Sequence, residues 1–170
     1  MGVFIEKFNV RWSDVDANQH VGNSTYMNFC SQTRMSFFNS QGFGIQQLNK
    51  INLSPVLLKE NFVFFKEILV DQTVYVSLEF TATSEDGNIF ECLHNIYDSE
   101  GIIHASSKAQ GVWIDSYSRK RCAPTEELKS IILKLADSET IKIITIDDVK
   151  DREKPVNLPP DYLLNNYYQH

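Results

Sequence analysis

The sequence predicts an α+β domain in which a curved antiparallel sheet wraps around one long central helix. Three observations carry this reading. From Asn23 or Ser24 to Gln41 the apolar residues recur with a helical period. Between residues 56 and 114 the chain reads instead as extended segments separated by turn signals. The last of these segments has a face of small residues, Ala105, Ser107, Ala109 and Gly111, which lets a helix or a ligand lie close to the backbone.

Taken in order, the first element is a strand. In "VFIEKFNVRW", Phe4, Phe8, Val10 and Trp12 fall on one side and Ile5, Lys7, Asn9 and Arg11 on the other, a period of two interrupted by Glu6. A polar stretch follows, "DVDANQH" at 14–20. In the helix after it, Tyr26, Phe29, Cys30, Thr33 and Phe37 share one face, Met27 and Phe38 widen that face, and Gly42 supplies the stop. A helix apolar over so much of its circumference is expected to be largely buried. After a loop containing Pro55, strands are expected at 56–66, 73–84, 88–98 and 102–114. "EDGN" and "DSEG" mark antiparallel turns, so one meandering sheet is expected. An amphipathic segment, Thr125 to Ala136, follows on the outside.

Beyond Asp137 the pattern weakens. "TIKIITI" has strand character, and "KPVNLPPDYLLNNYY" is a proline-punctuated aromatic tail expected to cover a sheet edge, dock on a neighbouring subunit or stay loosely held. The expected organisation is one domain over residues 1–136 and a C-terminal extension, 137–170, without an assigned role.

Length and composition bound the function. A chain of 170 residues can bury one proper core, and 42% apolar with 22% charged residues excludes a fibre or a disordered chain. A net charge of −6 disfavours nucleic acid as a partner and leaves local basic clusters, of which "SRKR" at 118–121 is one, to hold anions. No run approaches a membrane span, and the N-terminal stretch lacks a basic patch followed by an apolar region, so a cytoplasmic protein is expected. Cys30, Cys92 and Cys122 lack zinc-like or redox-like spacing and are expected to be reduced thiols.

"DVDANQH" packs two carboxylates, an amide and an imidazole between a strand and a mostly apolar helix. One reading is a loop that caps the helix; the other is an active site. Asp14 suits the turn or capping role, since Asp is a preferred turn former. Asp16 joined to Asn18, His20 and the following helix suits a site. Asn23 fits an N-cap, and Tyr26 and Phe29 fit core or tunnel wall.

At this point the residues resemble a known family. "RWSDVDANQHVGNSTYMNF" is similar to the opening strand, loop and helix of hotdog-fold thioesterases of the 4-hydroxybenzoyl-CoA thioesterase type. Within that set the D-x-N-x-H-V-x-N-x-x-Y spacing, here Asp16, Asn18, His20, Val21, Asn23 and Tyr26, is most similar to plant-type acyl-ACP thioesterases. The strand order and the "SRKRCAPTEEL" exit from the last strand look similar too, so the resemblance spans roughly residues 4 to 136. It implies the hotdog fold and an acyl thioesterase acting on a coenzyme A or acyl-carrier-protein thioester. It also implies a homodimer or a dimer of dimers, in which sheets join edge to edge and each site borrows from its neighbour. The chain departs from many bacterial relatives at Ser31 and Gln32, where they carry a glutamate or an arginine, although Arg34 fits.

Thioester chemistry fits the same residues. The thiolate leaves readily, its pKa being about 8.5 by analogy with cysteine, so what remains to be supplied is an activated water or carboxylate nucleophile and donors for the oxyanion. Asp16 is expected to attack or to act as base, Asn18 to position water or the carbonyl, and His20 to orient the pair. Backbone N–H groups of Val21, Gly22 and Asn23 at the start of the helix are expected to hold the oxyanion, helped by the helix dipole. Tyr26 is placed on the substrate, with Arg119, Lys120 and Arg121 on coenzyme A phosphates or an acidic carrier surface. No cofactor is called for. His94 and His104, nearly opposite across the "DSEG" hairpin, are two ligands without a third, so no metal site is expected. Cys30 lies on the apolar stripe and reads as a buried small hydrophobe.

Two alternatives belong to other classes. A hotdog hydratase or dehydratase also uses Asp and His, but with a spacing typically one residue longer than Asp16 to His20. A non-catalytic acyl-CoA-binding module would keep the cavity and lose the chemistry, in line with the missing helix acid.

Overall fold

In the computed structural model the described residues are 2–136, 141–150 and 156–159. Alternation in the first segment builds β1, Phe4–Asn9, with Phe4, Glu6 and Phe8 turned inward and Ile5, Lys7 and Asn9 outward. The strand ends before Trp12. Residues Trp12–Asp14 form a single 3₁₀ turn, and the Trp12 side chain is 85% exposed rather than continuing the strand face.

Helix α1 runs Asn23–Ser40 and buries Tyr26, Phe29, Cys30, Thr33, Phe37 and Phe38, the stripe that the period predicts. Thr25 and Arg34 are buried with them. The helix is less enclosed than expected, because Met27 is 47% exposed and the neighbouring Asn28, Ser31 and Gln32 form a polar outer face. A short helix α2, Ile45–Lys50, follows where the sequence predicts a loop. Its six residues are too few to display a period.

The strands are β2 Leu53–Phe64, β3 Thr73–Thr83, β4 Ile89–Tyr97 and β5 Ile103–Asp115. Strand β2 starts three residues before the expected boundary and contains Pro55. A proline is tolerated there because β2 is an edge strand, where a missing N–H disturbs least. The sheet order is β1-β3-β4-β5-β2, and the main ladders are antiparallel. Helix α1 lies against β1 and β3.

On the small-residue face of β5, Ala105, Ser107 and Ala109 are buried. At Gly111 the close approach is specific: a Cβ there would lie 2.5 Å from Phe90 Cζ and 2.7 Å from the Val56 carbonyl oxygen. The glycine makes room for an aromatic ring and for the neighbouring strand.

Helix α3, Glu126–Lys134, is capped by the Thr125 hydroxyl, which accepts from Leu128 N–H at 3.3 Å. It packs Leu128, Ile131 and Ile132 onto the core that holds Phe38, Phe80, Phe90 and Trp113. After α3, β6, Lys142–Ile143, pairs in parallel with Ala82 and Thr83 of β3, beyond the point where β1 stops. Helix α4, Ile146–Val149, buries Val149 against Ile89, Val112 and Ile114. Most of "KPVNLPPDYLLNNYY" lies outside the described residues.

Candidate active site

The polar stretch after β1 closes into a tight loop. Asp16 N–H donates to the His20 carbonyl at 2.8 Å, and Gln19 N–H donates to the Asp16 carbonyl at 3.0 Å. Gln19 adopts a left-handed φ of 64° to turn the chain. Asp16 Oδ1 accepts from the backbone N–H of Asn18 at 2.8 Å and of His20 at 3.4 Å, an Asx-type turn. The second oxygen, Oδ2, has no hydrogen-bond partner among the described residues, and the residue is exposed. Its Cβ lies 4.0 Å from where a Cβ on Gly22 would stand, which puts the Asp16 side chain beside the start of α1.

Asp14 takes the structural part. Its carboxylate receives Arg11 Nε–H at 3.0 Å, Arg11 Nη2–H at 2.9 Å and the Arg11 backbone N–H at 2.8 Å. The Arg11 side chain holds this carboxyl below the usual carboxylate range. The Asp14 carbonyl accepts from Thr25 Oγ1 at 3.0 Å, tying the loop to the helix.

The amides expected to hold an oxyanion divide into two sets. Val21 N–H is spent on the Ile68 carbonyl at 2.8 Å, and Gly22 N–H on the Asp14 carbonyl at 3.0 Å. Gly22, not Asn23, is the N-cap residue, and no side chain caps it. Asn23 and Ser24 are therefore the first helical positions, and among the described residues no hydrogen bond engages their N–H groups. A helix leaves such first-turn amides unpaired, with the positive end of its dipole behind them. The unspent donor pair is thus one residue further on than the sequence suggests.

His20 also differs from expectation. Its backbone holds Asp16, but its imidazole turns to Glu67, with Nε2 3.0 Å from Oε2. Glu67 comes from the loop between β2 and β3, which docks on this region through the Val21–Ile68 bond and the His20–Leu69 bridge. Sequence reasoning missed Glu67 because only that docking brings it to His20. Asn18 contributes its backbone N–H, and among the described residues its side chain makes no hydrogen bond.

The remaining candidates separate. Tyr26 is buried, with its ring edge-on to Phe64 at 5.0 Å, and burial pushes its phenol pKa up. Arg119, Lys120 and Arg121 are exposed in the turn after β5, where Arg121 bridges to Ile114. Strand β5 starts beside Tyr97, at the end of the sheet where the Asp16 loop sits, and ends at Asp115. Its 13 residues place the basic turn at the opposite end of the sheet. Within one chain the structure does not bring this cluster to Asp16.

His94 and His104 do not face each other; His94 pairs in register with Ser107. His104 is buried between the Glu67 carbonyl, 2.8 Å from Nδ1, and Asp98 Oδ2, 3.1 Å from Nε2. His94 donates from Nδ1 to the Ser77 carbonyl at 2.7 Å, so its Nε2 accepts from Arg34 Nη1 at 3.1 Å. Among the described residues, no group of three His, Cys, Asp or Glu is placed to hold a metal ion. Cys30 is fully buried, and burial pushes its thiol up to about 12, which removes it as a nucleophile.

Burial, followed by the charge of Arg34, pushes His94 down to about 3. A base whose folded pKa is depressed stays neutral in the native state while the unfolded chain takes the proton. Stability therefore falls as pH drops through about 6.5, by up to about 1.4 kcal/mol per unit. Urea titrations between pH 7 and 5 are expected to show this slope, and His94→Gln to flatten it; an unchanged slope would assign it elsewhere.

The fold agrees with comparisons to known proteins. No curated protein matches the chain. Among solved structures it is similar to Slr0204, a 1,4-dihydroxy-2-naphthoyl-CoA thioesterase from Synechocystis, with a TM-score of 0.71 and 20% identity over 79% of this chain and 98% of that one. It is also similar to SAV2348 from Staphylococcus aureus, solved in complex with CoA, with a TM-score of 0.73 and 16% identity over 93% of this chain and 96% of that one. The shared architecture is the hotdog fold, an open curved sheet around a helix. Among the described residues no helix is long and apolar enough to cross a membrane. The sequence profile of the Thioesterase-like superfamily matches residues 10–162, nearly the whole chain, and the protein belongs to that superfamily.

Proposed function

We propose that the protein hydrolyses an acyl thioester of coenzyme A or an acyl carrier protein to free acid and thiol. One observation carries the reading: an open carboxylate oxygen on Asp16 beside the first turn of α1, where the Asn23 and Ser24 amides are unspent. Either Asp16 attacks the thioester carbon, the C–S bond breaks to release the thiolate and water then hydrolyses the mixed anhydride, or Asp16 takes a proton from the water that attacks, the C–S bond breaks and the thiolate leaves with that proton. The two amides receive the oxyanion, each such donor contributing on the order of 3 kcal/mol. Asn18 and His20 lock Asp16 through their backbone N–H groups, and Glu67 fixes the His20 imidazole at the rim.

Superfamily membership supports thioester chemistry, and the D-x-N-x-H spacing supports a relation to the 4-hydroxybenzoyl-CoA type and to plant-type acyl-ACP enzymes. Coenzyme A as one of the two carriers draws on SAV2348, a structural relative solved in complex with it. A homodimer fits the edge strand β2, where Leu57, Leu58, Val63 and Phe64 are exposed on a ladder open on one side. Contact between Arg119–Arg121 and the thioester's phosphates then requires a site shared between two copies. A cytoplasmic setting fits the three free thiols.

The test is thiol release from a panel of acyl-CoA and acyl-carrier-protein thioesters that varies chain length and aromaticity. Turnover on at least one member is expected. The same exposed loop also suits a binding module, because one Asp16 oxygen is committed to the turn. Tight acyl-CoA binding with no thiol release on any member would select that reading. Hydration of crotonyl-CoA would select a hydratase.

A further inference from the structure

Between α1 and the edge strand β2, well down the helix from the Asp16 loop, lies a cavity of about 220 Å³. It is mostly apolar, with Met35, Phe38, Leu57 and Phe90 in its lining. At ~30 Å³ for each water-sized group it has space for about seven, a short run of methylenes. A wholly apolar cavity would favour plain hydrocarbon. This one has Ser31 and Arg34 in its wall.

The guanidinium is fixed in place. Arg34 Nη1 lies 3.2 Å from Glu60 Oε1 and 3.1 Å from His94 Nε2, and Nη2 donates to Ser31 Oγ at 3.0 Å. Ser107 Oγ donates to the same Glu60 oxygen at 3.0 Å. These contacts use three of the five N–H groups that a guanidinium carries, and the Cys92 thiol is a further partner, so at least one N–H remains on a guanidinium that lines the cavity. Glu60 already balances the charge, and His94 accepts from Arg34 as a neutral ring. A second carboxylate would bring an uncompensated charge into a buried site. A neutral oxygen adds no charge and gains a bond to a cationic donor. The helical rise of 1.5 Å per residue sets Arg34 about 16 Å from Asn23, far from the scissile carbonyl.

We propose that this cavity receives the distal part of the acyl chain, and that Arg34 with Ser31 selects chains carrying a hydroxyl or keto oxygen over plain hydrocarbon of equal length. The ligand class rests on the acyl-thioester reading, but binding at this site does not require hydrolysis.

Two arms separate the claims. In the first, calorimetry on the purified protein compares saturated fatty acids with hydroxy and keto acids of the same length, the oxygen being moved along the chain. At least about tenfold tighter binding is expected at one distal position, the gain of a hydrogen bond to a charged group. The preference should shrink to within about twofold in the double variant Arg34→Met/Glu60→Gln, which removes both charges together. Arg34→Lys, which keeps the charge but loses the planar fork, should weaken it as well and serves if the double variant does not fold. Equal affinity at every oxygen position, no acid binding at all, or a preference that survives these substitutions would overturn the proposal. In the second arm the same matched pairs are supplied as CoA thioesters and kcat/KM is compared. Oxygen-selective binding without cleavage would leave this site standing and sink the hydrolase reading; cleavage indifferent to the oxygen would do the reverse.

Discussion

Asp16→Asn is expected to lower thiol release by at least about a hundredfold, the usual contribution of a general base, with little effect on the urea midpoint. The asparagine keeps an oxygen for the N–H groups of Asn18 and His20, so the turn can persist. What it loses is the charge on the open oxygen and the capacity to attack or to take a proton. Because the residue is exposed, no buried partner is stranded by the change. A variant with wild-type turnover would move the role to another group. Glu67 would be the first to examine, as the carboxylate that reaches the same loop.

Arg34→Met is expected to be the most destabilising single change, at about 3–5 kcal/mol, because it strands the buried Glu60 carboxylate. It also removes the donor to His94 Nε2 and leaves Ser31 without its partner. Adding Glu60→Gln should recover most of the loss. The amide retains an oxygen for the Ser107 hydroxyl and no longer demands a cation. Urea titrations of the single and double variants decide the point. Equal destabilisation by both would mean that the cost arises from packing of the arginine stem and not from the unpaired charge.

Much of the architecture was legible because its signals are local. The helical stripe from Tyr26 to Phe38 and the turns "EDGN" and "DSEG" need only nearest neighbours, and the structure has them where the periods place them. Trp12 leaves the expected face because alternation says nothing about where a strand stops; β1 ends at Asn9 and the Arg11–Asp14 pairing turns the chain at Trp12. The misassigned oxyanion donors have a tertiary cause. Val21 N–H is free in an isolated helix start and becomes occupied only when the β2–β3 loop brings in the Ile68 carbonyl. The partners of Arg34 and His20 were equally invisible. Arg34 meets Glu60, 26 residues away, through the placement of β2, and His20 meets Glu67 across the same loop. The sequence shows that the central helix carries no acid near Ser31 and Gln32, but not that a strand delivers one to Arg34.

A structure of the Asp16→Asn protein with an uncleaved acyl-CoA decides whether Asp16 and the first turn of α1 act on the thioester. The thioester carbon is expected within about 3–3.5 Å of the substituted side chain, as a near-attack geometry requires. The carbonyl oxygen is expected within hydrogen-bond reach of the Asn23 and Ser24 amides. A thioester held with its carbonyl away from the start of α1, and those two amides still unspent, would contradict this assignment.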